Sequence, residues 1–173
     1  MSEEYLDIVD QEDSVIGKKL RTLLSKQDIY RVSSLWVFDK NKKLLISKRP
    51  LWKKHDPGQW TESAVGTVSS GETYDSNLVR ESKEELGLDL NNSDLIFVSK
   101  QFHESRNGRM FGAMYAVILN EVEPKVETDK NEVPETEWIE HDKIVEEFRK
   151  KDNRFVTGLK KFYREVWNKV SKV

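Results

Sequence analysis

The 173-residue chain contains no cysteine. Disulfides, thiolate metal sites and cysteine nucleophiles are therefore all excluded. It also lacks any apolar run near the ~20 residues a membrane span needs, and no signal-peptide pattern opens it. An excess of one charge is missing too. The 29 Lys and Arg residues against 31 Asp and Glu leave a net charge of −2. There is thus no global basic field of the kind that marks nucleic-acid binders. No repeat, low-complexity tract or linker divides the chain. These absences lead us to expect one domain with a sizeable core, soluble and cytoplasmic, with neither a nucleic-acid polymer nor a membrane as partner.

What is present is concentrated in residues 66–88. Gly66, Glu72, Arg80, Glu81, Glu84, Glu85 and Gly87 stand at fixed spacings, a pattern whose chance occurrence is on the order of one in 10⁸ per starting position. Asp75 or Ser76 is the expected N-cap of a helix of about three turns, and Gly87 its natural left-handed C-terminal residue. On that helix Glu81 and Glu85 lie one turn apart, with Glu84 beside them within an arc of roughly 100°. Like charges so placed destabilise a bare helix by roughly 0.2–0.5 kcal/mol per pair. A hard divalent cation with oxygen ligands would relieve them, and Mg²⁺ typically bridges carboxylates to substrate phosphates. Glycine at 66 and 71 lets the preceding loop turn sharply and approach the same ion. Glu72 and Arg80 are placed to form an ion pair tying loop to helix. An isolated Glu-x-x-Glu-Glu is usually a solvated helix face; here the flanking residues all match as well.

The segment resembles the Nudix box, G-x5-E-x7-R-E-U-x-E-E-x-G-U with U a bulky apolar residue. Leu88 meets the final U, whereas Ser82 replaces the first. A hydroxyl there can bond back to the carbonyl four residues earlier, so slightly weaker packing is expected. The resemblance implies an α/β (α+β) fold, the Nudix-type α/β/α sandwich with a mixed β-sheet. It also implies a Mg²⁺ cofactor, with Mn²⁺ as a substitute, on Glu81, Glu84 and Glu85. Gly66, Glu72, Arg80 and Gly87 take structural roles. Glu132, in Asn131-Glu132-Val133-Pro134, resembles the outlying acidic ligand of some members, and a solvated loop glutamate is the alternative.

Upstream, Lys48, Arg49, Lys53 and Lys54 follow a strand-like run. Cations facing a metal site would clamp phosphate oxygens; an ordinary charged loop is the competing reading. In order and spacing, Arg49, Lys53-Lys54, Pro57-Gly58 and Trp60 are similar to the diphosphate-binding stretch of isopentenyl-diphosphate isomerases. That resemblance makes Arg49 with Lys53 or Lys54 the implied diphosphate ligands. Those isomerases protonate an alkene with a cysteine and use a metal-binding histidine, where this chain has Val65 and Thr67. Hydrolysis is therefore expected over isomerisation.

Around the box, Tyr5–Val9 and Ser14–Gly17 read as short strands, Lys18–Lys26 as a weak helix, and Val32–Phe38 with Lys43–Ser47 as paired strands. Further strands are expected near Leu95–Lys100, Phe111–Leu119 and Thr136–Ile139. Phe155, Leu159, Phe162, Val166 and Val170 recur at helical steps, giving a C-terminal helix over about 154–171. The expected organisation is a single Nudix domain over 1–173 with an N-terminal hairpin extension over 1–30. His103, Arg106 and Arg109 fall in an expected loop and are candidates to line a substrate pocket. Trp52, Trp60 and Tyr74 could stack on a base or cover a prenyl chain, although burial is the commoner fate of such rings. Three functions remain open: hydrolysis of a small-molecule diphosphate of nucleotide or other type, action on a prenyl diphosphate, and diphosphate binding without turnover. A homodimer is left open.

Overall fold

The computed structural model describes residues 4–105, 108–150 and 152–173. Its spine is β3 (Ile29–Phe38), whose sequence IYRVSSLWVF is rich in β-branched and aromatic residues suited to a pleated surface. Leu35, Trp36, Val37 and Phe38 are completely buried. A continuous apolar run of this kind marks a strand covered on both faces. β3 pairs in parallel with β8 (Gly108–Ile118) along its whole length, from Ile29 opposite Arg109 to Phe38 opposite Ile118. Its other edge meets β1 (Tyr5–Val9), β6 (Ala64–Thr67) and β4 (Leu44–Lys48) in turn, all antiparallel. β2 (Val15–Leu20) extends β1, β7 (Ile96–Ser105) extends β8, and β4 also carries β5 (Trp60–Thr61) and β9 (Thr136–Ile139). Among the described residues the result is a mixed sheet of nine strands.

Strand alternation assigns each face a helix layer. Helix α1 (Tyr74–Leu86) sets Leu78 and Leu86 against Leu35, Val37, Leu45 and Ala64. The opposite face takes α2 (His141–Phe148) and α3 (Thr157–Val170), whose Ile144, Leu159, Tyr163, Val166 and Val170 pack on Trp36, Phe38, Leu44 and Ile46. Each fully buried aliphatic contributes about 1.5–3 kcal/mol relative to exposure. This is the expected α/β/α sandwich.

Two neighbouring strands part company to make room for the site. β3 and β4 touch through one register pair, Phe38 with Leu44, then diverge toward β6 and β5. Ser63, at the junction of β5 and β6, bridges the split. Its hydroxyl accepts from Val37 N–H at 2.8 Å and donates to the Leu45 carbonyl at 2.6 Å. Its own carbonyl accepts from Ser47 Oγ at 2.6 Å. With both roles of this buried hydroxyl filled, the cost of its desolvation is offset.

Several local expectations are corrected. Lys18–Leu20 continue β2, and only Arg21–Leu23 make a single 3₁₀ turn in place of the helix over Lys18–Lys26. Leu23 is 67% exposed, so no apolar face exists to hold a helix there, while the β1 ladder satisfies the backbone. The expected loop around His103 is instead the extension of β7, with His103 opposite Met110. Arg106 lies outside the described residues. One or two terminal helices are expected from the sequence; α2 is the second, at a position that the apolar spacing of Ile144, Val145 and Phe148 marks. The helix α1 begins at neither proposed cap: Thr73 is the N-cap, and Ser76 completes the box. Ser82 is completely buried and bonds to the carbonyls of Val79 and Leu88, not to the one four residues back.

Candidate active site

Helix α1 is fixed at one end by side-chain caps and at the other by a glycine. Thr73 Oγ1 accepts from Ser76 N–H at 3.2 Å, and Ser76 Oγ accepts from Thr73 N–H at 2.9 Å, so two otherwise orphaned donors are satisfied. At the other end Gly87 adopts φ 67°, and a Cβ there would stand 2.8 Å from the Glu127 carbonyl oxygen. Only glycine suits that position on both counts. The ends fixed in this way set the rotation of the helix, and with it the aim of Glu81 and Glu85.

Arg80 is the hub of the box. It donates to Glu72 through Nε at 2.9 Å and Nη2 at 3.2 Å, to Glu81 at 3.0 Å and to Glu84 at 2.8 Å. The loop glutamate and the helix are thus clamped by the expected ion pair. Hydrogen bonds from Arg80 hold the Glu72 carboxyl below the usual range, against the effect of burial. Asn77, which the sequence did not single out, is completely buried beside it. Its amide donates to Thr67 O, Glu72 and Glu81, and its oxygen accepts from Ser33 Oγ at 2.6 Å. An asparagine in a first helical turn looks like ordinary capping chemistry, so nothing in the pattern marked it.

Glu81 and Glu85 face the cleft opened by the parting of β3 and β4. Glu81 lies over Gly66, and burial raises its pKa against the pull of Arg80. Glu85 is pushed up to about 8, chiefly by burial, then by the charge of Glu81, with Lys53 opposing and Glu132 adding. Glu84 is more exposed, with 59% of its side-chain surface open, and is held by Arg80. Lys53 Nζ pairs with Glu132 at 2.8 Å across the same cleft. The cavity there measures about 550 Å³ and is lined by Lys53, Arg80, Glu81, Glu84, Glu85 and Glu132. Arg49 joins Lys53, Glu85 and Glu132 in a smaller recess beside it. Among the described residues no three carboxylate or imidazole groups already enclose an ion site. Even so, the donor set suits a hard divalent cation. It consists of carboxylate oxygens, and Glu85 carries a mutual repulsion that a cation would relieve.

Other candidates lie apart. Lys54 is exposed and lines none of the cavities described here. His103 sits on the opposite face of the sheet, its ring 5.2 Å from Phe162, and burial lowers its pKa. Arg109 reaches Gln27 O and Glu104 instead of the cleft. Trp52 is 61% exposed and donates to Asn131 O. Trp60 packs under Arg154 and Lys48, and Tyr74 donates to Asp13.

Comparison with known proteins agrees with this architecture. The NUDIX domain family matches residues 29–165, and the chain belongs to that family. An uncharacterized Nudix hydrolase of Nostoc sp. is 35% identical over 147 residues, covering 83% of this chain and 84% of its relative. The isopentenyl-diphosphate Delta-isomerase of Klebsiella pneumoniae is 28% identical over 145 residues, covering 81% and 78%. The crystal structure of DR0079 from Deinococcus radiodurans superposes with a TM-score of 0.77 at 24% identity, covering 93% of this chain and 98% of that one. That last likeness concerns the fold alone. Among the described residues no helix is long and apolar enough to cross a membrane.

Proposed function

We propose that the chain hydrolyses a diphosphate linkage in a small molecule, with Mg²⁺ or Mn²⁺ as cofactor. The observation that carries this reading is the meeting of Glu81, Glu84, Glu85 and Glu132 with Lys53 and Arg49 along one cleft. Carboxylates to hold a cation and cations to hold phosphate oxygens are the two halves of a phosphoryl-transfer site. When bound, such an ion would supply charge neutralisation at phosphorus and would acidify a water. Its ligands would be Glu81, Glu84 and Glu85, with Glu132 as an outlying contributor, and Glu84 and Glu132 would have to give up their bonds to Arg80 and Lys53.

The chain's own residues do the rest. Arg49 and Lys53 orient the diphosphate so that one phosphorus faces the glutamates. A carboxylate of the cluster takes a proton from the attacking water as the new P–O bond forms. The bridging P–O bond then breaks, and the departing phosphate keeps its electron pair. Glu81, Glu84 and Glu85 are the groups placed to take that proton. Isomerisation of an alkene is not favoured. Val65 lines the cleft at the position of the isomerase cysteine and can neither donate nor accept a proton.

The test is Mg²⁺-dependent phosphate release across nucleoside di- and triphosphates, nucleotide sugars and prenyl diphosphates, with coupled pyrophosphatase and phosphatase. Turnover of one class that disappears in a folded Glu85→Gln variant is the expected result. Full activity in that variant would remove Glu85 from the mechanism. Isomerisation without phosphate release would replace hydrolysis altogether.

A further inference from the structure

On the face of the sheet away from α1 lies a buried carboxyl that hydrolysis does not require. Glu62, between β5 and β6, is only 8% exposed. Thr61 Oγ1 donates to its Oε2 at 2.5 Å, and among the described residues it has no ion-pair partner within 4.0 Å. A carboxyl removed from water with so little compensation is costly, and such groups are characteristic of binding sites. It opens into a cavity of about 150 Å³ walled by Val32, Val65, Met114 and Phe162, with Ser34 and His103 as the other polar groups. Val65 is also a wall of the cationic cleft. The charge of Arg49 reaches Glu62 as well, so the cavity, although on the other face of the sheet, borders the place where Arg49 would hold a diphosphate.

The chemistry of the lining restricts its occupant. Phenylalanine, methionine and valine surfaces suit a flat, weakly polar ring. Burial raises the Glu62 pKa against the pull of Thr61, its own backbone N–H and the charge of Arg49. Only in its ionised form is the carboxyl purely an acceptor, and an occupant that donates an N–H is what favours that form. A prenyl chain offers none and would seal Glu62 away unpaired, a defect that binding sites penalise heavily. An oxo-substituted heterocycle presents a carbonyl where an amino-substituted one presents an N–H. Burial, and then the charge of Lys161, lower the pKa of His103, which disfavours a second cation competing for the carboxyl.

We propose that Glu62 is a specificity-determining residue, and that the group attached to the diphosphate is an amino-substituted planar heterocycle of the nucleobase type, its exocyclic N–H donating to the Glu62 carboxyl. This deepens the hydrolase reading and rests on it for the placement of the diphosphate.

Matched substrates test it: cytidine against uridine diphosphate, and adenosine against inosine diphosphate, each pair differing at one amino or oxo group. The wild-type protein should favour the amino member of at least one pair by roughly tenfold or more in kcat/KM. In Glu62→Leu that ratio should fall to within about twofold of unity, with melting confirming that the variant is folded. Equal rates for both members of both pairs in the wild type would overturn the proposal without recourse to any variant. So would an unchanged ratio in folded Glu62→Leu, or faster turnover of isopentenyl diphosphate than of every nucleotide. Calorimetry with the four free nucleosides, which need neither metal nor hydrolysis, separates the two claims. Amino-selective binding that depends on Glu62, without turnover, would sink the hydrolase reading and keep this one. Nucleotide hydrolysis without discrimination would do the reverse.

Discussion

Gly66 and Glu81 are packed against each other so closely that a Cβ on residue 66 would lie 2.7 Å from Glu81 Cγ and 2.8 Å from its Oε1. The glycine is what lets the carboxylate lie over β6 and face the cleft. Gly66→Ala should therefore push Glu81 aside, with an overpacking cost of about 1–3 kcal/mol. Turnover should fall at least about tenfold, because displaced catalytic groups lose activity steeply. Parallel melting and kinetics check this; a folded variant with wild-type kcat/KM would show that Glu81 is free to move.

Glu85 makes the metal-free protein sensitive to alkali. Its folded pKa of about 8 lies above the ordinary 4.5, so the folded state holds this proton more tightly than the unfolded chain. The associated stability is complete below the ordinary value and is lost as pH rises through about 8. Melting in chelator from about pH 5 to about pH 9 should show wild type losing ground to Glu85→Gln as pH rises. Mg²⁺ should restore the loss in wild type alone, most strongly at the alkaline end.

Asp13 should behave in the opposite sense. It adopts φ 65° and accepts hydrogen bonds from Arg31 at 2.7 Å, Lys100 at 2.5 Å and Tyr74, pinning the β1–β2 hairpin to the sheet. Burial alone would raise its pKa, but the bonds from Lys100 and Arg31 outweigh it and the net direction is down. Its contribution is present above the ordinary 3.8 and is lost as pH falls through the lower folded value. Asp13→Asn, which tolerates the left-handed backbone, should cost about 1–3 kcal/mol near neutrality. Denaturant titrations should show the difference shrinking in acid; a constant difference would point to packing instead of charge.

Gly87→Ala should destabilise by about 1–3 kcal/mol, since it combines a left-handed non-glycine backbone with a clash on a carbonyl oxygen. Urea unfolding measures this directly. Because this helix end helps to aim Glu85, kcat should fall along with stability in the folded variant.

Lys53→Met keeps the aliphatic stem and removes the charge that pairs with Glu132. If Lys53 holds phosphate oxygens, KM should rise by about tenfold or more while kcat falls less, as expected when ground-state binding is lost. Steady-state kinetics over a range of substrate decides it, and an unchanged KM would leave Arg49 as the principal anchor.

Much of the site was legible because it is local. Within one helix, three- and four-residue spacing puts Glu81, Glu84 and Glu85 on one side whatever surrounds them, and Gly87 is where such a helix must stop. The pairing of Glu72 with Arg80 follows from an eight-residue separation across one loop. The β3 run declared itself by composition. By contrast, the helix inferred over Lys18–Lys26 failed because leucines at helical spacing stabilise nothing unless another element covers them. His103 was misread as a loop residue because polar residues on a long hairpin resemble turn chemistry when the partner strand is unseen.

The amino-acid sequence by itself determined the carboxylate helix, its terminal glycine at 87, its N-cap in kind if not in position, and the alternation of strands that makes a covered sheet. These depend on contacts within a few residues, which spacing encodes. The tertiary structure alone decided that β3 and β4 diverge under the Ser63 bridge, that Lys53 and Glu132 meet across the cleft, and that Asn77 orients Glu72 and Glu81. It alone buried Glu62 in a cavity that Phe162 also lines. Those relationships join residues far apart in the chain, and they exist only because close packing of two helix layers on one twisted sheet leaves few ways to place them.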